Sequence, residues 1–419
     1  MTTDEPVSPA NNVAEVLGGF VRWLDAYGET SWDHQSYFAG PIGGRAKAMY
    51  YRRGKLGLLA VAPMIFSEAF VPSARRLFHE RIRFPIADAH YAMGFAFLHE
   101  ATANPAYLGR AVHFLEELVK SRAPAFQEYC WGYPFDWVTR NGTIPRDTPF
   151  ITTLPYAWEA FLQVHRLAPR KEWLNVLASI ARHAYSDIKS FPSSPTASSC
   201  GYSPDDTKGG VLNASAYRSF LLTSAAQELS EGKYLAEANR NVNFVLENQN
   251  PDGSWFYAVD GVRDFVDHFH TCFVMKALGK IYGLTGNKAI HAALERGVKY
   301  YLANLFDATG LPKPFSKAPR MTVYKRELYD CAECINLCLI LRGSFPQLNP
   351  TLDRVVAEIL GHWIQSDGSF RARRLHLGWD NVPMHRWAQS QMFRALAFYV
   401  REEASIRRAG TGLSRAPIT

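Results

Sequence analysis

Cysteine is scarce in this chain of 419 residues: six occur, at Cys130, Cys200, Cys272, Cys331, Cys334 and Cys338. So few, without the spacing of a secreted framework, exclude a disulfide scaffold and predict reduced cytosolic thiols. Charge is modest too. Charged residues make up 20%, and 46 Lys and Arg face 39 Asp and Glu. The resulting +7 suits an acidic partner and is too diffuse for a nucleic-acid footprint. Long apolar runs are missing, so no membrane span is expected. The most apolar stretch, residues 56–71, is short for a span and contains Glu68, which makes it read as a core helix. The first residues, MTTDEPVSPANNVAEVLGGF, carry two early acids and neither a basic nor a long apolar region. They predict no signal peptide and a cytoplasmic location.

What is plentiful is apolar and aromatic. Hydrophobic residues reach 47%, which excludes a disordered chain, and 10 Trp, 20 Tyr and 26 Phe exceed what a core requires. A repeat organises them. Six segments share an almost wholly apolar helix: IADAHYAMGFAFLHEA, FITTLPYAWEAFLQVH, GVLNASAYRSFLLTSA, DHFHTCFVMKALGKIY, YDCAECINLCLILRG and MHRWAQSQMFRALAFY. Anchors at Leu98, Leu162, Leu221, Leu278, Ile340 and Leu396 are spaced by 64, 59, 57, 62 and 56 residues. Between them lie amphipathic helices such as AYLGRAVHFLEELVKS and AIHAALERGVKYYLANLF. The unit is a hairpin of one inner and one outer helix, with no clear β pattern. Six units predict an all-α (α/α)6 toroid; an open solenoid is the competing arrangement. Residues 85–403 form the ring. Residues 1–84 complete it with a partial turn and the last outer helix, their first ten or so flexible, and 404–419 read as a frayed tail.

In such a ring every outer-to-inner connection lies on one face. These connections hold Trp131, Trp137, Trp255, Trp379 and Trp387, half of all tryptophans, while links such as HEATANPAY are short and bland. Aromatic platforms beside carboxylates, His and Arg suit sugars. Asp136, between Phe135 and Trp137, reads as a general acid raised by an apolar setting. Asp267, His268 and His270 begin an inner helix; Asp267 also suits an N-cap, and the two histidines do not share a helical face. Tyr329 and Asp330 begin another, with Glu333 completing a possible capping box. His385 and Arg386 begin the last, Arg386 as a carboxylate clamp, with Arg140 as a second clamp. Cys331, Cys334 and Cys338 form a stripe that reads as core packing. Asp205 and Asp206 suit either a cation site or helix-start acids. The repeated turns Asp252-Gly253-Ser254-Trp255 and Asp367-Gly368-Ser369-Phe370 read as architecture with one exposed aromatic. No cofactor and no metal is expected.

The six-hairpin pattern resembles the (α/α)6 toroids of carbohydrate-active enzymes: glycosidases, polysaccharide lyases and glucuronyl C5-epimerases. The stretches CWGYPFDW, HFHTCFVMKAL, YDCAECINLCLIL and MHRWAQSQMFRAL, within residues 85–400, also resemble helical proteins of bacterial capsule and exopolysaccharide gene clusters. That resemblance implies a setting in surface-polysaccharide synthesis. GSFRARRLHLGWDNVPMHRWAQSQ is loosely similar to the end of glucuronyl C5-epimerases, but the tyrosine expected near the histidine is absent. Phe244, Val245, Gln249, Gly253 and Trp255 fit the repeat motif of squalene and hopene cyclases, whose aspartate-rich motif is missing because Ser203 precedes Asp205 and Asp206. Cys130-Trp131-Gly132 lacks the Cys-His pair of a lanthionine cyclase.

The expected function is action on an acidic bacterial oligo- or polysaccharide. Hydrolysis comes first, with Asp136 as acid and Asp267 or Asp330 as base. Epimerisation or elimination at C5 by His268, His270, His385 or Tyr329, with Arg386 or Arg140 as clamp, is the alternative. A third reading is a non-catalytic glycan-binding or assembly protein. The oligomeric state stays open.

Overall fold

A computed structural model describes residues 9–140, 142–319 and 321–410. In chain order the helices begin with α1 (Pro9–Tyr27), α2 (Ser36–Ala39), α3 (Pro41–Arg53), α4 (Lys55–Phe70) and α5 (Pro85–Thr102). They continue with α6 (Pro105–Lys120), α7 (Leu154–Leu167), α8 (Lys171–Arg182), α9 (Leu212–Glu228) and α10 (Lys233–Glu247). The last five are α11 (His268–Thr285), α12 (Lys288–Asn304), α13 (Leu328–Leu341), α14 (Asn349–Glu358) and α15 (Ser390–Gly410). The six apolar segments of the repeat are α5, α7, α9, α11, α13 and α15, and they form the inner ring. Each pairs with an outer helix, in turn α6, α8, α10, α12, α14 and α1.

The layers follow from composition. Every residue of α9 from Leu212 to Ala226 is buried, whereas α6 buries only Ala111, Phe114, Leu115 and Leu118. A helix apolar on all sides must sit inside another shell. The ring is closed, which excludes the solenoid. α5 packs on α15 so tightly that a Cβ on Gly94 would lie 2.6 Å from the Phe393 ring. Phe20 of α1 stacks on Phe393 at 5.1 Å, so the first helix of the chain backs the last.

The two faces are built differently. On the narrow face, α5 and α11 end in the same turn. Ala103 (φ +58°) and Gly286 (φ +64°) cap them in the left-handed conformation. Asn104 and Asn287 then accept the backbone N–H of Ala106 and Ala289 to start α6 and α12. On the wide face the connections are long, and they contain short β structure that the sequence did not suggest. β1 (Trp137–Thr139) pairs with β2 (Gly142–Ile144), and β3 (Ser190–Pro192) with β4 (Ser198–Cys200). β5 (Val266–Asp267) pairs with β6 (Phe315–Lys317). β7 (Tyr324–Glu327), β8 (Arg373–Leu375) and β9 (Trp379–Asp380) form an antiparallel sheet in that order. Strands of two to four residues carry too little alternation to be read in advance.

Two expectations change. The stretch 56–71 is no core helix: α4 buries only Gly57, Val61 and Met64 and packs on one side against α3. The tail segment 404–419 is helical as far as Gly410, because α15 continues through it. Residues 1–8 and 411–419, where flexibility was expected, lie outside the described residues. All six cysteines are free and buried.

Candidate active site

Two of the five tryptophans on the wide face hold the layers together. Trp131 and Trp255 are buried, and their indole N–H groups donate to Leu118 O and Val245 O, near the ends of outer helices α6 and α10. They are wedges that use the carbonyls a helix leaves orphaned at its end. That corrects the expectation of substrate platforms, and of an exposed aromatic after the Asp252-Gly253 turn. Trp379 is half-buried against Trp363, with Arg371 and Arg374 over its ring. Trp137 is half-buried and edge-on to Tyr133 and Phe150.

Two histidines are also turned away from the mouth. His268 is fully buried; its Nδ1–H donates to Leu305 O at 3.2 Å, and its Nε2 accepts from Tyr301 OH at 2.8 Å. His385 repeats the device two units on, with Nε2–H to Gly28 O at 3.0 Å and Nδ1 accepting from Tyr91 OH at 2.5 Å. Leu305 and Gly28 directly follow the outer helices α12 and α1. Burial depresses both rings to about 3, so they stay neutral. The acid–base role expected of them is corrected to a structural one.

Asp136 is exposed, and its Oδ1 accepts the Arg146 N–H. The apolar enclosure expected around it does not form, because Phe135 turns inward and Asp136 outward. Arg386 is buried with Asp33 in a two-pronged pair at 2.9 and 2.6 Å, so its charge is already matched. Arg140 is exposed near the tip of the β1–β2 ribbon. With Tyr50, Tyr51, Lys55 and Leu58 it lines a groove of about 450 Å³ between that ribbon and the α3–α4 hairpin.

The groups that do converge come from α11, α13 and the start of α15. Asp267 is the N-cap of α11: its Oδ1 accepts the His270 N–H at 3.0 Å. Its Oδ2 takes the His270 ring at Nδ1, 2.6 Å away. The carboxylate therefore fixes the ring and leaves Nε2 as the nitrogen with a lone pair. The His270 side chain keeps 19% exposure, where His268 has none. Asp330 lies on the neighbouring inner helix, 1% exposed, with Oδ1 unpartnered among the described residues. Desolvation, then the charges of Glu327, Asp267 and Glu333, push its carboxyl well above the usual carboxylate range, which favours the protonated form. The capping box does not form: Glu327 occupies the N-cap position and bonds Arg373, while Glu333 pairs with Lys276.

Around these groups stands an aromatic wall. Trp387 is edge-on to Tyr329 at 4.7 Å and meets Phe269 at 5.9 Å; its indole N–H is buried without a partner among the described residues. Tyr257 stands edge-on to His270 at 4.6 Å. A π-helical turn, His385–Gln389, lets three successive side chains diverge: His385 to the outer layer, Arg386 to Asp33, Trp387 to the aromatic wall.

Several mouth residues escape the sequence reading. Asn213, at the start of α9, lines one small cavity with Asp267, His270 and Tyr257, and both its amide atoms lack partners among the described residues. Its place at an inner-helix start was the available signal. A buried charge ladder also went unseen: Asp380 pairs with Arg75, Arg75 with Glu68, Glu68 with Arg373, and Arg373 with Glu327. No local motif marks it, because its members come from four separate segments. Asp206 stays local, accepting the backbone of Tyr202, Lys208 and Gly209. No group of three or more His, Cys, Asp or Glu among the described residues is placed to hold a metal.

No protein-family model and no curated protein sequence matches the chain. Solved structures do. An unsaturated glucuronyl hydrolase specific for heparin superposes with a TM-score of 0.63 at 11% identity, over 96% of this chain and 98% of its own. A possible member of glycoside hydrolase family 105 from Salmonella enterica gives 0.62 at 11%, over 96% and 97%. The cellobiose 2-epimerase of Bacillus thermoamylovorans gives 0.60 at 11%, over 77% and 88%. The ring of this chain is the (α/α)6 toroid that these carbohydrate-active proteins share.

Proposed function

We propose that the chain is a carbohydrate-active enzyme that moves protons on an acidic sugar, with His270 as base and Asp330 as acid. One observation carries the reading: Asp330 is buried on one inner helix with its Oδ1 unpartnered among the described residues, and the inner helix packed against it carries Asp267, whose charge acts on Asp330 and whose carboxylate orients the part-exposed His270. Two open carboxylates facing across a cleft, the arrangement for direct glycoside hydrolysis, are not what supports it. Asp136 is at the surface and Asp267 is engaged with His270. In a uronate the C5 proton is α to a carboxylate. His270 Nε2 would take it, and Asp330 would return a proton to the opposite face (epimerisation) or to the leaving oxygen (elimination). Trp387, Tyr329 and Tyr257 offer ring faces for the sugar. The groove with Arg140, Lys55, Tyr50 and Tyr51 suits further acidic residues of the glycan. A second reading, hydrolysis with Asp330 protonating the leaving oxygen and His270 activating water, draws on the same pair.

The test is incubation with uronate-containing oligosaccharides in deuterated water, followed by NMR and mass spectrometry. Deuterium at C5, or an unsaturated product absorbing in the ultraviolet, supports the lead reading. New reducing ends without either support the second. Binding without any turnover on a panel of acidic glycans overturns both and favours a glycan-binding or assembly protein.

A further inference from the structure

The α3–α4 hairpin stands beside the mouth, with Gly44 of α3 against Val138 of the β1–β2 ribbon. It is amphipathic in an unusual sense: its free side is both apolar and basic. Ile42 is 76% exposed, Leu59 73%, Leu56 70% and Phe66 62%. Phe66 and Phe70 pack on each other at 4.8 Å on the surface of α4. The tip between the helices, Arg52-Arg53-Gly54, is exposed, and a Cβ on Gly54 would meet nothing within 4 Å. Charge on this segment has one sign. From Gln35 to His79 the only acid is Glu68, and its carboxylate is taken by Arg75 and Arg373. Arg45, Arg52 and Arg53 remain exposed beside the apolar side chains.

We propose that the α3–α4 hairpin docks the protein on an anionic lipid bilayer, its apolar side chains in the headgroup boundary and Arg45, Arg52 and Arg53 on the lipid phosphates. Charge selects this occupant. A second copy of this chain would set the same cations against one another, since a two-fold contact places one patch on both sides. An anionic surface neutralises them while the leucines and phenylalanines leave water. Length fits as well. The 16 residues of α4 reach roughly 24 Å, too short to span a bilayer, and no described helix is long and apolar enough to cross one. The hairpin would lie in the interface and hold the neighbouring mouth close to lipid-borne glycan. The inference does not depend on the reaction proposed above, and its test involves no catalysis.

The experiment is co-sedimentation of the full chain with vesicles of phosphatidylcholine alone or mixed equally with phosphatidylglycerol. Expected is binding to the mixed vesicles, weakened by salt, with little to the neutral ones. Leu59→Asp with Phe66→Asp, and separately Arg52→Glu with Arg53→Glu, should each lower that binding about tenfold or more. All four positions are on the surface, so circular dichroism and turnover of soluble substrate should be unchanged. No binding to either vesicle overturns the proposal, as does equal binding by wild type and both double variants. A dimer in sedimentation velocity that the same variants dissociate, without vesicle binding, assigns the surface to a second copy instead.

Discussion

Three histidines begin inner helices, and they divide two against one. His268 and His385 face the outer layer, hold a tyrosine hydroxyl and a backbone carbonyl each, and are neutral by burial. His270 faces the mouth, keeps part of its surface, and is held by a carboxylate instead. The cause is rotation. Residues two apart on a helix point about 200° from each other, so one His of the pair is structural because the other is not. The difference teaches that in this ring a polar residue at a helix start has a role set by azimuth, and only secondarily by its chemistry.

The comparison can be broken most sharply at Asp330. Asp330→Asn should lower turnover about 10³-fold while keeping the shape of the site. Its stability should hold or rise at neutral pH. The wild-type carboxyl is raised, so the native state loses stability as pH climbs above the unfolded value, and asparagine removes that cost. A drop in melting temperature with turnover preserved would make Asp330 a structural acid. His270→Ala comes next, with a loss of about 10²-fold in turnover and an altered pH–rate profile. Its melting temperature should change little.

His268→Ala and His385→Ala should do the reverse. Each should cost about 3 kcal/mol in urea denaturation, through a cavity and two unmet hydrogen bonds, with near-normal turnover of the folded fraction. Their pH dependence sharpens the contrast. Both rings sit near 3 when folded, below their ordinary value, so the unfolded chain takes up protons first as pH falls. Stability is complete above about pH 6.5 and declines toward pH 3, by about 1.4 kcal/mol per unit for each ring. His268→Gln should flatten that slope; an unchanged slope means the ring is already open to water. The smallest effect is at Trp387. Trp387→Ala should raise KM roughly tenfold with little change in melting temperature, whereas Trp255→Ala should destabilise by about 3 kcal/mol.

The ring was legible because inner and outer helices differ along their whole length: α9 buries fifteen residues in succession, and no surface helix can do that. The starts of the inner helices were legible for the same reason. What lay beyond local pattern was direction. Trp131 and Trp255 look like any exposed aromatic in a polar loop until an outer-helix carbonyl is seen above the indole. Asp136 has apolar neighbours in sequence, and a ribbon turns it outward. Arg386 reads as a clamp until Asp33, more than 350 residues away, is found in its grip. The α4 helix has the composition of a core element, yet it lies on the surface, where each of the six inner helices already packs on another outer helix.

The pairing of α1 with α15 also has a consequence in time. The apolar face of α1, with Val13, Leu17, Phe20 and Leu24, has its partner more than 350 residues further along the chain. At ribosomal speeds of about 5–20 residues per second, α1 waits on the order of tens of seconds before α15 exists. Until then its ring-facing side is bare, and α5 lacks the neighbour that closes the circle. The apolar stripe of α1 therefore stays unsatisfied through most of the synthesis of the ring, and its burial against α15 is the step that closes the circle.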